Sequence, residues 1–114
     1  MRVYGVKDNE FGFMEVENDL KAEQLFVGGY IEVLGIGNGI DLVCNEEGKI
    51  NGLVPKIAWI EDGEVIEIIC GNCFFCRSLD GDFVSINDED LEYIRIKFKK
   101  VLALVENRIM ITEL

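Results

Sequence analysis

The chain of 114 residues contains no histidine, and that absence removes several chemistries together. Ser-His-Asp and Cys-His nucleophilic catalysis, histidine-ligated zinc and imidazole acid–base work at neutral pH all need the missing side chain. Catalysis would have to rest on carboxylates, lysine, tyrosine or a thiol, and no local grouping of these points to an active site. A non-enzymatic protein with no catalytic residue, no resident metal and no cofactor is therefore expected. Proline is nearly absent too, since Pro55 stands alone, and neither a proline-rich linker nor a low-complexity tail can be marked. No uncharged apolar run approaches the roughly 18 residues of a membrane-spanning helix. The start, Met1-Arg2-Val3-Tyr4-Gly5-Val6-Lys7-Asp8, lacks the apolar core and small-residue cleavage site of a secretion signal, so the expected location is cytoplasmic, without a membrane partner.

Cations are scarce: 11 Lys and Arg face 22 Asp and Glu, for a net charge of −11. A field of that sign repels phosphates and anionic lipid and attracts basic surfaces, so direct nucleic-acid binding is not expected. The excess can simply keep a small hydrophobic domain in solution, or it can form an acidic face that meets a basic groove on a partner.

What is present suits one compact domain. With 49% hydrophobic residues spread along its length, the chain can bury one core and is too short for two ordinary ones, so residues 1–114 read as a single domain. Arg2 to Val6 and Phe11 to Val16 read as paired strands around Asp8-Asn9-Glu10, with Gly12 adding turn chemistry. Asn18 is a suitable N-cap for a short helix near Asp19 to Val27, and Gly28 stands where such a helix ends in a left-handed residue. Strands over Tyr30 to Leu34 and Ile40 to Cys44 follow, separated by Gly35, Gly37 and Gly39. Asn45-Glu46-Glu47-Gly48 reads as a hairpin insert in which Gly48 supplies a positive φ. Lys49 to Leu53 would then return antiparallel to Ile40 to Cys44, with Pro55 ending that strand.

Lys56 to Ile60 comes next, with Trp59 as a large anchoring surface. Asp62-Gly63 and Asp80-Gly81 are turns among the segments Glu64 to Cys70, Cys73 to Arg77 and Phe83 to Ser85. From Asn87 the pattern changes. Asn87 can cap a helix, Asp88, Glu89 and Asp90 suit its N-terminus, and Lys97, Lys99 and Lys100 suit its later turns. Leu91, Ile94, Phe98, Val101, Leu102 and Val105 recur at helical spacing, whereas the strand-like alternation of Ile94 to Phe98 covers fewer residues. Arg108 to Thr112 reads as a last strand, able to join a sheet edge within the domain or in a neighbouring subunit. The expected fold is α+β: a twisted, mostly antiparallel sheet with one short helix and one longer C-terminal helix.

Four groups of residues could carry chemistry. Cys70, Cys73 and Cys76 form two consecutive Cys-x-x-Cys spacings, with Cys44 far upstream. Thiolates so spaced can ligate zinc or an iron–sulfur cluster when a turn points them inward, but on a continuous strand Cys73 faces away from the other two, and buried small hydrophobes are the simpler reading. Asn45, Glu46, Glu47 and Lys49 share one turn and can bind a cation or a polar ligand, or merely solvate the turn. Gly35-Ile36-Gly37-Asn38-Gly39 lacks the Lys-Ser/Thr ending of a phosphate loop. Arg77, Trp59, Phe74 and Phe75 can present a guanidinium and aromatic faces to a nucleotide, with Lys49 and Lys56 as further cations, or can be ordinary packing.

Gly28-Gly29-Tyr30-Ile31-Glu32-Val33, then Cys44-Asn45-Glu46-Glu47-Gly48-Lys49-Ile50 with Gly52-Leu53 and Pro55, then Ile68-Ile69-Cys70-Gly71-Asn72 and Asp82-Phe83-Val84-Ser85-Ile86, together resemble the domain-of-unknown-function family 3846. The likeness runs from about Arg2 to Phe98. It implies an accessory protein of phages, plasmids and integrative elements, and no catalytic residue. Where such relatives commonly carry an asparagine after the proline, this chain has Lys56 and Ile57, and where they carry apolar or small residues it has Cys70, Cys73 and Cys76. The functional expectation is a mobile-element accessory protein that inhibits a host defence component, in the bacterial cytoplasm, by binding a host protein with a basic surface. The alternatives are a homo-oligomer that sequesters a small nucleotide signal and a cysteine-based metal or redox protein.

Overall fold

The computed structural model describes residues 1–114 as ten strands and two short helices. In chain order these are β1 (Arg2–Lys7), β2 (Glu10–Glu15), α1 (Leu20–Val27), β3 (Ile31–Gly37), β4 (Ile40–Asn45) and β5 (Pro55–Glu61). They continue with β6 (Glu64–Cys70), β7 (Cys73–Leu79), β8 (Asp82–Val84), α2 (Asp90–Lys97), β9 (Phe98–Val105) and β10 (Arg108–Thr112). Every strand pair is antiparallel. One sheet has the order β2-β1-β7-β4-β3 with β8 pairing β7, and the other has the order β10-β9-β5-β6. The α+β class and the antiparallel pairing are as expected. No helix is long and apolar enough to cross a membrane.

The strand β7 shows how the layers are held. Successive side chains on a strand point to opposite faces, and Cys73-Phe74-Phe75-Cys76 is buried on both. Cys73 and Phe75 join a core with Leu42, Ile57, Ile69, Ile94 and Phe98, between the two sheets and α2. Phe74 and Cys76 face the other way, into a cluster with Val3, Val43 and, from α1, Phe26 and Val27. Phe75 meets Phe98 with ring centroids 5.0 Å apart, and Phe26 meets Phe74 edge-on at 5.2 Å. The larger sheet is thus covered by α1 on one face and by the smaller sheet on the other.

Local chemistry accounts for most boundaries. Asp19, rather than Asn18, caps α1, its carboxylate accepting the Ala22 amide at 2.8 Å, while Asn18 donates to the Phe83 carbonyl. Gly28 ends the helix at φ 80°, its amide bonding the Gln24 carbonyl. Asn38 and Gly39 both have positive φ, as a two-residue hairpin turn between β3 and β4 requires, so the glycine-rich stretch is a hairpin that continues β3 to Gly37.

Four further expectations are corrected. The longer C-terminal helix is absent: α2 and α1 have eight residues each, and the chain turns extended at Phe98, with φ −128° and ψ 142°. The residues Val101, Leu102 and Val105 lie in β9, because Phe98 to Lys100 pairs with β5 and later residues pair with β10. Asn87 does not cap α2; its amide instead donates to the Asp90 side chain at 2.9 Å. Lys49 to Leu53 is not a strand, since β4 already has β3 on one edge and β7 on the other. Pro55 accordingly begins β5 rather than ending a strand.

One carboxylate is out of keeping with its surroundings. Glu23 of α1 is 5% exposed, and its Oε2 has no hydrogen-bond partner. Burial, then the nearby Asp19 charge, pushes its carboxyl above the ordinary range. Folding therefore favours the protonated form: stability falls as pH rises from the ordinary value through the raised one, and stays lower above it. Glu23→Gln should stabilise the protein at pH 7 by on the order of 0.5–1 kcal/mol, the relief of burying a charge outweighing the lost attraction to the helix N-terminus. Urea melts should show that gain shrinking as pH falls through the raised value towards the ordinary one and gone below about 4, where wild-type Glu23 is protonated in both states.

Candidate binding cleft

The turn singled out from sequence roofs a cleft at the seam between the sheets. The edge strand β3 and its neighbour β4 belong to one sheet, β6 is the edge of the other, and residues 46–54 cross between them. The crossing is held tightly. A Cβ on Gly48 would stand 2.5 Å from the Cys70 carbonyl oxygen, and Gly48 is not among the positive-φ glycines, so close approach rather than left-handed backbone requires glycine there. The Leu53 amide bonds the Gly48 carbonyl at 2.9 Å and the Gly71 amide bonds Val54 at 2.8 Å.

Asn45 is a builder of the cleft. It is 7% exposed, its amide donates to the Val27 carbonyl at 3.1 Å, and its Oδ1 accepts the Glu47 amide at 2.8 Å. It ties the end of α1 to the start of the turn and leaves Glu46, Glu47 and Lys49 exposed. The cleft has a volume of about 270 Å³ and is lined by Glu32, Leu34, Cys44 to Ile50 and Glu67 to Cys70. Cys44, Ile69 and Cys70 are its buried apolar floor, while Glu32, Glu46, Glu47 and Lys49 are its exposed rim. Glu67, from β6, forms an ion pair with Lys49. A second hollow beside it is lined by Gly29, Tyr30, Asn45, Glu46, Glu47 and Asn51, so the two turn glutamates border both.

Burial disfavours the thiolate form of both cysteines in this floor. Burial first, then Glu32, pushes Cys44 up to about 12; its Sγ lies 3.8 Å from a Glu32 carboxylate oxygen. Burial also raises Cys70, against the lowering effect of Lys49. Cys73 and Cys76 lie in clusters on opposite faces of β7, and burial raises both, Cys76 to about 12. The Cys-x-x-Cys spacings therefore do not converge, and no group of three or more Cys, Asp or Glu side chains is placed to hold a metal ion.

Of the seven residues singled out from sequence, Asn45, Glu46, Glu47 and Lys49 meet in the cleft. The other three are elsewhere, each with structural partners. Lys56 donates to the Asp8 carbonyl at 2.6 Å and to Asn9 at 2.8 Å, fastening the β1–β2 turn. Trp59 packs on Phe98 at 5.3 Å and its indole donates to Glu61, whose carboxyl is held below the usual range by Lys97 and then by that indole. Arg77 pairs with buried Asp90 at 2.7 Å and donates to the Asn38 carbonyl at 3.2 Å, joining β7, α2 and the β3–β4 turn. The expected guanidinium-and-aromatic platform does not assemble: Phe74 and Phe75 are buried on opposite faces of β7.

Sequence reasoning missed Glu32 and Glu67. The first was within reach, because the hairpin register pairs Glu32 with Cys44 and so brings it beside the turn. Glu67 comes from the other sheet, and no local pattern announces it.

Because Asp90 is buried and Arg77 is partly so, removing the carboxylate strands a guanidinium. Asp90→Ala should cost about 2 kcal/mol of stability in chemical denaturation, less than a fully buried pair would because Arg77 retains some water. Arg77→Lys should also destabilise, since an ammonium cannot reach both Asp90 and the Asn38 carbonyl as the fork does.

No curated protein and no solved structure matches the chain. A family model does, over residues 1–99 of the 114, and its description is domain of unknown function, DUF3846. That match covers most of the length, from β1 to the second residue of β9, and includes every residue of the cleft. The chain belongs to the DUF3846 family.

Proposed function

We propose that this is a non-enzymatic accessory protein of a phage or other mobile element, which inhibits a bacterial host protein, a defence component, by receiving a basic segment of it in the seam cleft. The observation that carries this reading is the chemistry of the cleft: four glutamates, Glu32, Glu46, Glu47 and Glu67, and one lysine above a floor of Cys44, Ile69 and Cys70. A lysine or arginine side chain matches that arrangement, with its aliphatic stem on an apolar floor and its charged head at a carboxylate rim. Lys49 already makes such a contact with Glu67, while Glu32, Glu46 and Glu47 have no cation in an ion pair with them. The net charge of −11 adds long-range attraction for a basic partner. The mobile-element setting rests on the family likeness.

Sequestration of a nucleotide has less support. Small-molecule sites usually enclose about 300–1,000 Å³, and this cleft, at about 270 Å³, carries net negative charge where phosphates would need cations. The cations put forward for that role are separated, with Arg77 on Asp90, Lys56 on Asp8 and Asn9, and Lys49 on Glu67.

Substitution of Lys49 separates the two readings. Lys49→Gln frees Glu67, so an arginine-rich peptide should bind the variant about tenfold more tightly than wild type by calorimetry, whereas a nucleotide would bind it more weakly. Glu32→Gln with Glu47→Gln should weaken the peptide by about tenfold or more, and added salt should weaken it further. Loss of a captured host protein from the double glutamate variant is expected in pull-downs. A nucleotide that raises the melting temperature of wild type but not of Lys49→Gln, with no peptide binding, would refute the proposal.

A further inference from the structure

The hairpin of β9 and β10 runs out beyond the sheet in which it begins. β9 pairs with β5 only through Phe98, Lys99 and Lys100, whereas β10 pairs with β9 as far as Val105. The base is fastened: Arg95 donates to the Leu114 carbonyl at 2.9 Å, Lys99 pairs with Glu113 at 2.8 Å, and Leu114 packs on the core. Past that base the ribbon is apolar and open. Leu102, Leu104, Val105 and Met110 are each more than half exposed, and Ile111 is 38% exposed. Cross-strand partners share a face, so Leu104 and Ile109 lie on one side and Ala103 and Met110 on the other. A two-stranded ribbon with apolar residues on both faces and nothing against it is marginal in water.

The free edge of the ribbon is also unguarded. β10 ends its sheet, and Arg108-Ile109-Met110-Ile111-Thr112 contains no lysine or proline to discourage pairing. The register shift between Met110 and Ile111 places its extra residue, Leu102, in β9, which leaves the outer edge of β10 regular. The charge is distinctive as well. Residues 98–114 carry three cations and two carboxylates, whereas residues 1–97 carry eight cations and twenty carboxylates. This arm is therefore the part of a strongly acidic protein that a second copy can approach without like-charge repulsion.

We infer that the protein forms a two-fold homodimer in which β10 pairs antiparallel with β10 of a second copy around Met110, continuing the smaller sheet across both. In that register Arg108 faces Thr112 and Ile109 faces Ile111, so apolar side chains meet and no like charges oppose one another. The pairing joins one five-residue strand to its copy, a contact well below a standard interface. A dissociation constant in the micromolar range follows, rather than a permanent dimer. The inference is independent of the cleft reading, since the cleft lies at the opposite edge of that sheet, on β6.

Sedimentation equilibrium of the full chain from about 1 to 500 μM tests it, a range that brackets micromolar association. The apparent mass should rise from 12.9 kDa towards twice that value. Met110→Lys and Met110→Glu should each raise the dissociation constant about a hundredfold, because each sets like charges face to face across the two-fold axis. An equimolar mixture of the two variants should dimerise again, which a misfolded arm could not do. A wild-type chain that stays monomeric throughout, a dimer indifferent to Met110→Lys, or a mixture that remains monomeric would each overturn the inference, as would an arm that only a different protein occupies.

Discussion

The double-sided burial of β7 is the constraint from which the rest of the architecture follows. Cys73, Phe74, Phe75 and Cys76 are each at most 1% exposed, so both faces of that strand need cover and both of its edges need partners. The edges are met by β1 and β4, one face by α1, and the other by the smaller sheet through Phe98 and Ile57. Truncating a buried phenylalanine typically costs about 3–5 kcal/mol, a large part of what a domain of this size has to spare. The same burial bears on the cysteines: alternation sends Cys73 and Cys76 to opposite faces, and dehydration raises the pKa of both thiols.

The cleft is a by-product of that stacking. Two sheets that share a core at Phe75 and Phe98 need not meet at their edges, and β3 and β6 do not pair. The chain bridges the gap with the turn after Asn45, and Gly48 lets it lie against the Cys70 carbonyl. What lines the gap is then decided by whichever side chains the two edges offer. Glu32 comes from one sheet and Glu67 from the other, with Glu46, Glu47 and Lys49 from the bridge. Arg77 plays a different part, since its pair with Asp90 clamps α2 to β7 and the β3–β4 turn.

Much of this was legible in the residues. Strand and turn chemistry marked the β1–β2 hairpin, α1 with its Gly28 stop, and the Asp62-Gly63 and Asp80-Gly81 turns, because each rests on local preference. The turn from Asn45 to Lys49 was legible as the place to look, though Asn45 serves the backbone and Gly48 a close contact. The two segments given the wrong secondary structure failed for one reason. Lys49 to Leu53 has strand-like residues but no free edge to pair with, and Phe98 to Val105 has helical spacing but a better offer from β5 and β10. Tertiary pairing decided both, as it decided the arrival of Glu67 in the cleft, and no window of sequence contains that information.

The central claim, that the seam cleft receives a cationic side chain, is tested most directly by following backbone amide resonances while a short arginine-rich peptide is added. The account predicts shifts confined to Glu32, to residues 44–50 and to residues 67–70, the segments that line the cleft. Shifts centred instead on Arg77 and Asn38, or an unchanged spectrum at millimolar peptide, would contradict it.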